Sequence, residues 1–328
     1  MCGINGFNFK NTNLIKEMMS LTSSRGPDNQ DSFESDEYSV GHNRLSIIDP
    51  ENRSNQPYYF KNFILSFNGE IYNYLELKNI LISKGYSFET TSDTEVIIKF
   101  FDLEGKNSFK KLSGIFSISI FDTKLKKLYL VRDIVGVKPL YYHFDTSNKK
   151  FIYSSLIKGI LIYLKNKRLN NDALNSYSNF NRNDYRETFF KDIFKVLPGE
   201  LIEVYNKNYK RSKILNFEFN RNKDENELSD DISKNFSNQF LSDVPVALSL
   251  SGGYDSNIIL QELLKNKGTN FTNYSVTFKD STKFQEDHEV AKRISDHYGV
   301  KFNSIEVSSK DFQDNAENIV DIVEEPTG

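Results

Sequence analysis

The order of helix-like and strand-like stretches changes once along the chain, and this change most limits the folds open to it. Up to about residue 165, short β-rich stretches surround two helical ones, "NLIKEMMSL" with Thr12 or Asn13 as its cap and "DTEVIIKFFDLEG" ending at Gly105. In "SGIFSISIFD", Phe116 and Ile118 alternate with serine, which is typical of a strand with one buried face. Strands grouped around helices without strict alternation indicate an α+β sandwich.

The second part of the chain alternates strand and helix. "VPVALSL", "NYSVTF" and "VKFNSIEV" are strand candidates, and "SNIILQELLKN" and "HEVAKRISDHYG" are the helix candidates between them. This alternation predicts a parallel sheet that is covered on both faces. We therefore predict a first domain over 2–206, a linker over 207–225, and an incomplete α/β domain over 226–328.

The composition limits the classes of protein to which this chain can belong. Among 328 residues there is one cysteine, so the chain has no internal disulfide and no cysteine-based zinc site, and a reducing, cytoplasmic setting is expected. No stretch reaches transmembrane length, so no membrane partner is expected. The formal net charge is −3, and the basic clusters at 165–168 and 207–211 are interpreted as solvated surface instead of a nucleic-acid site. The four histidines form no metal-ligand pattern.

The single cysteine stands at position 2. Removal of the initiator methionine would give Cys2 a free α-amine beside its own thiol, which places a base and a nucleophile in one residue. An α-amine has a pKa of about 7.7–8.0, which suits a general base near neutral pH. The alternative is an incidental or structural thiol.

A glycine loop follows the first strand of the second part, in "VALSLSGGYDSNIIL". Paired glycines let a backbone approach a ligand closely, and hydroxyls with N–H groups at a helix start form an anion site. Asp255 could hold a Mg²⁺ ion that bridges phosphates. The alternative is an ordinary glycine turn in which Asp255 or Ser256 caps the helix.

Nine motifs along the chain resemble those of the glutamine-hydrolysing asparagine synthetases. In order they are "MCGI", "RGPD", "HNRLSIID", "NGEIYN", "SDTE", "SGIFSISIFD", "RDIVGVKPLYY", "LPG" and "SDVPVALSLSGGYDS". The resemblance covers essentially the whole chain. It implies an N-terminal-nucleophile glutaminase domain, an αββα sandwich, followed by an ATP-pyrophosphatase domain.

The resemblance implies that Cys2 attacks the side-chain amide of glutamine, with the Asn68 side chain and the Gly69 N–H as oxyanion donors. It implies that Arg44 binds the substrate carboxylate and that Glu70 and Asp93 bind its ammonium. The remaining glutamine-binding residues that it implies are Leu45, Ser46, Ile47 and Ile48. Taken alone, Arg44 and Asp93 would be interpreted as ordinary surface ion-pair residues.

For the second domain the resemblance implies ATP and Mg²⁺, with Mg²⁺ near Asp255. The ATP-binding residues that it implies are Leu250, Ser251, Gly252, Gly253, Asp255, Ser256 and Val276. The implied reaction adenylates aspartate and amidates it with ammonia from glutamine, which an internal tunnel carries between the sites. A homodimer is also implied.

The chain departs from the family pattern in three places. Ser24 stands where histidine usually precedes "RGPD", and Leu156 stands where glutamate is usual. The sequence also stops before the family's second nucleotide loop, which predicts a truncated synthetase domain with an uncovered sheet face beside a complete set of glutaminase residues. The acidic pair in "EEP" (324–326) is interpreted as a solvated helix end.

Two alternatives to an asparagine synthetase stay open. One is an amidotransferase that acts on a different carboxylate, such as a sugar, peptide or antibiotic precursor, because the acceptor pocket falls largely outside the chain. Aminosugar and phosphoribosyl amidotransferases share the first domain, but the loop at Ser251 argues against them. The other alternative is a non-catalytic remnant, or a module that binds glutamine or a nucleotide without turnover.

Overall fold

A computed structural model describes residues 1–181, 186–217, 225–279 and 282–325. The described residues form two compact units, one of 1–217 with 324–325 and one lying between 225 and 323. Part of the predicted linker, Asn208–Lys213, is a strand of the first unit. A two-residue turn at Asn206 and Lys207, both with positive φ, returns the chain along the preceding strand. The linker prediction is therefore wrong for these residues.

Two six-stranded antiparallel sheets form the centre of the first unit. In spatial order, the first sheet contains β10 (Phe194–Lys195), β8 (Tyr141–Asp145), β9 (Lys150–Ser154), β1 (Gly3–Phe7), β3 (Ser39–Arg44) and β2 (Asn29–Glu34). The second sheet contains β12 (Asn208–Lys213), β11 (Glu200–Tyr205), β7 (Lys127–Arg132), β6 (Gly114–Asp122), β5 (Phe63–Ile71) and β4 (Tyr58–Phe60).

Helices cover the outer faces of both sheets. Helices α1 (Thr12–Leu21) and α4 (Ile157–Leu161) pack on the first sheet, and α2 (Tyr74–Ser83) and α3 (Asp93–Glu104) pack on the second. Helix α5 spans Asn171–Phe180. Between the sheets lies a third apolar cluster that includes Ile4, Val40, Ile64 and Leu128. The unit is thus the predicted αββα sandwich.

Two local predictions for this unit need correction. Asn11 caps α1, because its side chain accepts a hydrogen bond from the Leu14 N–H, so the cap is neither Thr12 nor Asn13. Strand β6 is buried on both faces, since Ser117 is as buried as Ile118. A strand inside a sandwich has helices on one side and a second sheet on the other, so its serines face protein and not water. Helix α3 ends at Gly105 as predicted.

The second unit contains a three-stranded parallel sheet of β13 (Ala247–Ser249), β14 (Thr272–Phe278) and β15 (Lys301–Val307). Its helices are α6 (Glu225–Gln239), α7 (Tyr254–Lys267), α8 (Thr282–Tyr298), α9 (Ser309–Asp314) and α10 (Ala316–Val323). Helices α7 and α8 share one apolar cluster with the strands. Among the residues described in either unit, no helix combines the length and apolarity needed to cross a membrane.

One face of this parallel sheet is open in the described part of the chain. Along β14 the side chains Asn273, Ser275 and Thr277 are buried, whereas Tyr274 and Val276 are 37% and 46% exposed. The predicted cover on both faces is therefore wrong for the described residues.

Candidate active site

A small cavity in the first unit collects most of the predicted glutaminase residues. It lies beside β5, at the start of α3 and at the end of β3. Eight predicted residues line it: Cys2, Arg44, Leu45, Ile47, Ile48, Gly69, Glu70 and Asp93. Ser46 and Asn68 do not line the cavity, although each is adjacent in sequence to residues that do.

Cys2 lies immediately before β1, and its thiol faces the turn after β3. The Leu45 N–H donates to Sγ at 3.3 Å, and the thiol lies 3.6 Å from the Leu45 carbonyl oxygen. Burial raises the pKa of the Cys2 thiol, so at neutral pH the sulfur is protonated. A nucleophilic role for this thiol therefore requires a base close to it.

The Arg44 guanidinium is a buried charge at the cavity wall. It is 4% exposed, and it donates to the carbonyl oxygens of Asp49 and Glu51 and to Asn55 Oδ1. All of these acceptors are neutral groups, and within the described residues Arg44 forms no ion pair. A buried guanidinium that is fixed by neutral acceptors at the wall of a cavity is suited to an incoming carboxylate.

Asp93 provides the opposite charge on the cavity wall. It begins α3 after the cap residue Ser92, and it is 3% exposed. Its Oδ2 accepts from the Ile71 N–H at 3.1 Å, and its Oδ1 accepts from Ser92 Oγ at 3.4 Å. Burial raises the pKa of Asp93 to about 6. With half-buried Glu70 nearby on the lining, the cavity offers carboxylates and a guanidinium, which complement the ammonium and carboxylate of an α-amino acid.

The predicted oxyanion donors lie on β5. Gly69 has a φ of 156°, and a Cβ there would lie 2.1 Å from the Ile115 carbonyl oxygen, so only glycine fits against the neighbouring β6. The Asn68 side chain is fully buried, and neither its Oδ1 nor its Nδ2 has a hydrogen-bond partner in the described residues. A buried amide without partners is expensive, so it is a feature of a site that binds a polar group.

Four lining residues were not predicted as site residues: Gln56, Phe67, Ser92 and Thr94. Ser92 and Thr94 flank Asp93 within the motif "SDTE", so that motif could have indicated them. Gln56 follows no chemical motif, and only the fold brings it to the cavity. Two residues that depart from the family pattern, Ser24 and Leu156, do not line the cavity. Ser24 is exposed, and Leu156 is buried at the start of α4.

The predicted nucleotide loop lies in the second unit, between β13 and α7. The Ser251 and Ser256 hydroxyls are 2.9 Å apart, Ser256 Oγ donates to the Ser251 carbonyl oxygen, and the Gly253 N–H donates to Ser251 Oγ. Gly253 is the cap position of α7, so Asp255 falls in the first turn. Much of the loop is exposed to solvent.

The remaining predicted ATP residues are placed differently from one another. Leu250 is 2% exposed and packs in the apolar cluster of the unit, whereas Val276 is on the open face of the sheet. Gly252 lies against α8, where a Cβ would be 3.0 Å from the Asp287 carbonyl oxygen. In the described parts of both units, no cluster of three or more His, Cys, Asp or Glu side chains could hold a metal ion.

The acidic pair at 324–325 is not a solvated helix end, so that prediction is wrong. Glu324 accepts from the Ile157 and Lys158 N–H groups at 2.7 and 2.8 Å, at the start of α4. Glu325 accepts from the Phe189 N–H at 3.0 Å and pairs with Lys195. A carboxylate thus satisfies the first N–H groups of α4, the position where Leu156 replaces the family's glutamate.

Comparison with known protein families divides the chain as the fold does. Residues 1–214 match the family described as "Glutamine amidotransferase domain", and residues 227–328 match the family described as "Asparagine synthase". The αββα fold is similar to that of the glutamine phosphoribosylpyrophosphate amidotransferase of Bacillus subtilis. That likeness has a TM-score of 0.51 at 16% identity and covers 92% of this chain and 65% of that chain.

Among curated proteins, the chain is 32% identical to asparagine synthetase [glutamine-hydrolyzing] 1 of Bacillus subtilis, over 94% of this chain and 49% of that protein. It is 28% identical to asparagine synthetase [glutamine-hydrolyzing] 3 of the same organism, over 98% of this chain and 56% of that protein. Amidase chyE of Penicillium rubens is 27% identical, over 94% of this chain and 51% of that protein. The chain spans about half the length of these relatives. It belongs to the asparagine synthetase (glutamine-hydrolysing) family, with a glutamine amidotransferase domain followed by a match to the asparagine synthase domain.

Proposed function

We propose that the first unit hydrolyses glutamine at Cys2 and releases ammonia and glutamate. One observation carries this proposal: a single cavity contains a thiol, a buried guanidinium without an ion pair in the described residues, and two carboxylates. Arg44 would bind the α-carboxylate of glutamine, and Asp93 with Glu70 would bind its ammonium. Bound in this way, the substrate would extend its side-chain amide toward the thiol.

The reaction begins after removal of Met1, which gives Cys2 a free α-amine. This amine takes the thiol proton, because burial keeps the sulfur protonated at neutral pH. The sulfur attacks the amide carbon, and the Gly69 N–H and Asn68 Nδ2 donate to the oxygen that becomes negative. The C–N bond then breaks, the amine returns its proton to the leaving ammonia, and water hydrolyses the thioester to glutamate.

The second unit supports the wider reaction of the family. We propose that the chain takes part in ATP-dependent amidation of aspartate, with asparagine, glutamate, AMP and pyrophosphate as products. The hydroxyls of Ser251 and Ser256 and the N-terminus of the 14-residue α7 suit the pyrophosphate portion of ATP, with Leu250 and Val276 toward the adenosine. Asp255 would supply a carboxylate to Mg²⁺, which also takes phosphate oxygens and water.

A second acceptor class is supported by one comparison. The similarity to a fungal protein named as an amidase, over the same 94% of this chain as the first synthetase match, is consistent with a different carboxylate as the acceptor. Both candidates require the same glutaminase cavity. They differ only in which carboxylate receives the ammonia.

Glutamate release by the purified chain tests the glutaminase proposal. Mass spectrometry first establishes that Met1 has been removed. We expect glutamine hydrolysis by the wild-type chain and a loss of about 10³-fold or more in Cys2→Ala, since the nucleophile is gone. Ser24→Ala is the matched control, because Ser24 is exposed and does not line the cavity. Equal hydrolysis by Cys2→Ala would overturn the proposal and would favour a non-catalytic module.

A further inference from the structure

Strand β5 extends beyond its neighbour β4, and this leaves part of one edge open. The pairing of β4 ends at Leu65, which lies opposite Tyr58, whereas β6 pairs along the whole of β5. Because strand peptide groups alternate in direction, Phe67, Gly69 and Ile71 all present their N–H groups to the open edge. This edge forms a wall of the candidate cavity.

Two of these three N–H groups donate hydrogen bonds to side-chain oxygens. The Phe67 N–H donates to Gln56 Oε1 at 2.7 Å, and the Ile71 N–H donates to Asp93 Oδ2 at 3.1 Å. The Gly69 N–H lies between them on the same edge. The structure therefore holds the strand on both sides of the one N–H group that the proposed reaction uses.

Gln56 connects this strand to α3. Gln56 is 4% exposed. Its Nε2 donates to Thr94 Oγ1 at 3.3 Å, and its Oε1 accepts from the Phe67 N–H. The Phe67 N–H can only donate, so it fixes which end of the Gln56 amide faces the strand. Thr94 follows Asp93 directly, so one amide ties the predicted oxyanion strand to the residue beside the ammonium ligand.

The backbone carbonyl group of Phe67 is held as well. The Phe67 carbonyl oxygen lies 3.0 Å from Nε2 of the fully buried His42. Burial lowers the pKa of His42 to about 4, so the ring is neutral at pH 7 and donates through Nε2. Two buried side chains thus hold both backbone polar groups of Phe67, the residue that immediately precedes Asn68 and Gly69.

We infer that Gln56 is a positioning residue of the glutaminase, and that its amide fixes the position of the Asn68–Gly69 peptide on β5 relative to Cys2 and Asp93. The inference rests on the proposed function. Without an acceptor at Gln56, the Phe67 N–H is buried and unsatisfied, and a small shift of the strand relieves it. Misplacement by about 1 Å can lower a reaction rate by about 100-fold. Ground-state binding of the α-carboxylate and ammonium depends on other residues and is retained.

The test compares Gln56→Met with Ser66→Ala as the matched control. Methionine keeps the size and flexibility of glutamine but has no acceptor for an N–H. Ser66 is fully buried on β5, the strand that Gln56 contacts, and its hydroxyl has no hydrogen-bond partner among the described residues. The readouts are kcat for glutamine hydrolysis and the Kd of glutamate by calorimetry. Glutamate has the same α-groups but develops no oxyanion.

We expect Gln56→Met to lower kcat about 10- to 100-fold with the Kd of glutamate changed by less than about threefold, and Ser66→Ala to change neither by more than about twofold. Gln56→Glu retains an oxygen toward Phe67 and is expected to recover kcat to within about fivefold of wild type. A merely structural role would weaken glutamate binding together with kcat.

Unchanged kcat in Gln56→Met, or a parallel loss of kcat and glutamate affinity, overturns the inference. If Gln56→Met does not fold, Thr94→Val replaces it, because it frees the Gln56 amide from α3. A fall of kcat by about threefold or more, at constant glutamate Kd, is then expected, and no fall overturns the inference. Absence of Cys2-dependent hydrolysis in the wild-type chain overturns the proposed function, and the inference with it. Hydrolysis that is insensitive to Gln56 overturns the inference alone.

Discussion

The two predicted sites of this chain differ in how firmly the protein holds their polar groups in place before a ligand binds. In the first unit, Arg44 and Asp93 are almost fully buried, and surrounding backbone groups fix each of them at a cavity wall. In the second unit, Ser251 and Ser256 bond mainly to each other in an exposed loop, and the adjoining sheet face is open. Charges held in place before binding cost little to reorganise, whereas an exposed loop gains its order from the ligand. We therefore expect large, specific effects of substitution in the first site and small ones in the second.

The largest expected effect comes from Arg44. Arg44→Met removes the only guanidinium that the described residues place on the cavity lining, and it leaves the substrate carboxylate buried without a partner. Loss of one member of a buried charge pair costs about 2–5 kcal/mol, which corresponds to about 30-fold or more in KM for glutamine. Arg168→Met is the matched control, because the Arg168 side chain is exposed, pairs with the exposed Asp192 and does not line the cavity. A KM within threefold of wild type for Arg44→Met would remove the contrast between the two sites.

The contrast extends to the cores of the units. Phe100 is fully buried on α3, so Phe100→Ala should destabilise the first unit by about 3–5 kcal/mol. Val276 is 46% exposed on the open sheet face, so Val276→Ala should change the stability of the second unit by less than about 1 kcal/mol. Thermal unfolding of both variants measures this difference. A large loss of stability in Val276→Ala would mean that something covers that face in solution.

Acid should weaken glutamine binding through Asp93. Its pKa of about 6 lies above the usual value, so the carboxylate is ionised at pH 7 and becomes protonated as the pH falls through 6. A protonated Asp93 no longer attracts the ammonium, and the Kd of glutamine should rise about tenfold between pH 7 and pH 5. Calorimetry on Cys2→Ala measures this without turnover. The double variant that adds Asp93→Asn should bind weakly at both pH values, and a tenfold pH effect that persists there would exclude Asp93 as the cause.

The smallest effect is expected at the nucleotide loop. Asp255→Ala should weaken MgATP binding by about three- to tenfold, since Asp255 would supply one carboxylate in an exposed site. Asp230→Ala, at an exposed position of α6, is the matched control. Calorimetric titration with MgATP compares the two. Equal affinity in both variants would remove Asp255 from the site.

The sequence predicted more of the first unit than of the second. Short motifs predicted one site for Cys2, Arg44 and Asp93, and all three residues line the same cavity. Gln56 could not be predicted, since its role depends on where β4 ends beside β5, and pairing of distant segments leaves no local signal. The same reason explains why Ser117 was expected to face water: a period-two pattern does not reveal a second sheet.

In the second unit, strand–helix alternation identified the parallel sheet but not its cover. Apolar side chains on β14 predict burial on both faces, but burial also needs a partner layer, and the described residues supply it on one face only. The acidic pair at Glu324 and Glu325 was misjudged in the opposite direction. Charge suggested solvent, whereas the backbone N–H groups of Ile157 and Lys158 provide buried partners for Glu324.

The central claim is that the cavity of the first unit hydrolyses glutamine. The most direct test uses glutamine labelled with ¹⁵N in its side-chain amide, mixed with aspartate, MgATP and the purified chain, with the label followed by NMR. We predict that the label leaves glutamine and appears in ammonium, and label in asparagine would in addition support the wider amidation reaction. Label that never leaves glutamine would contradict the claim.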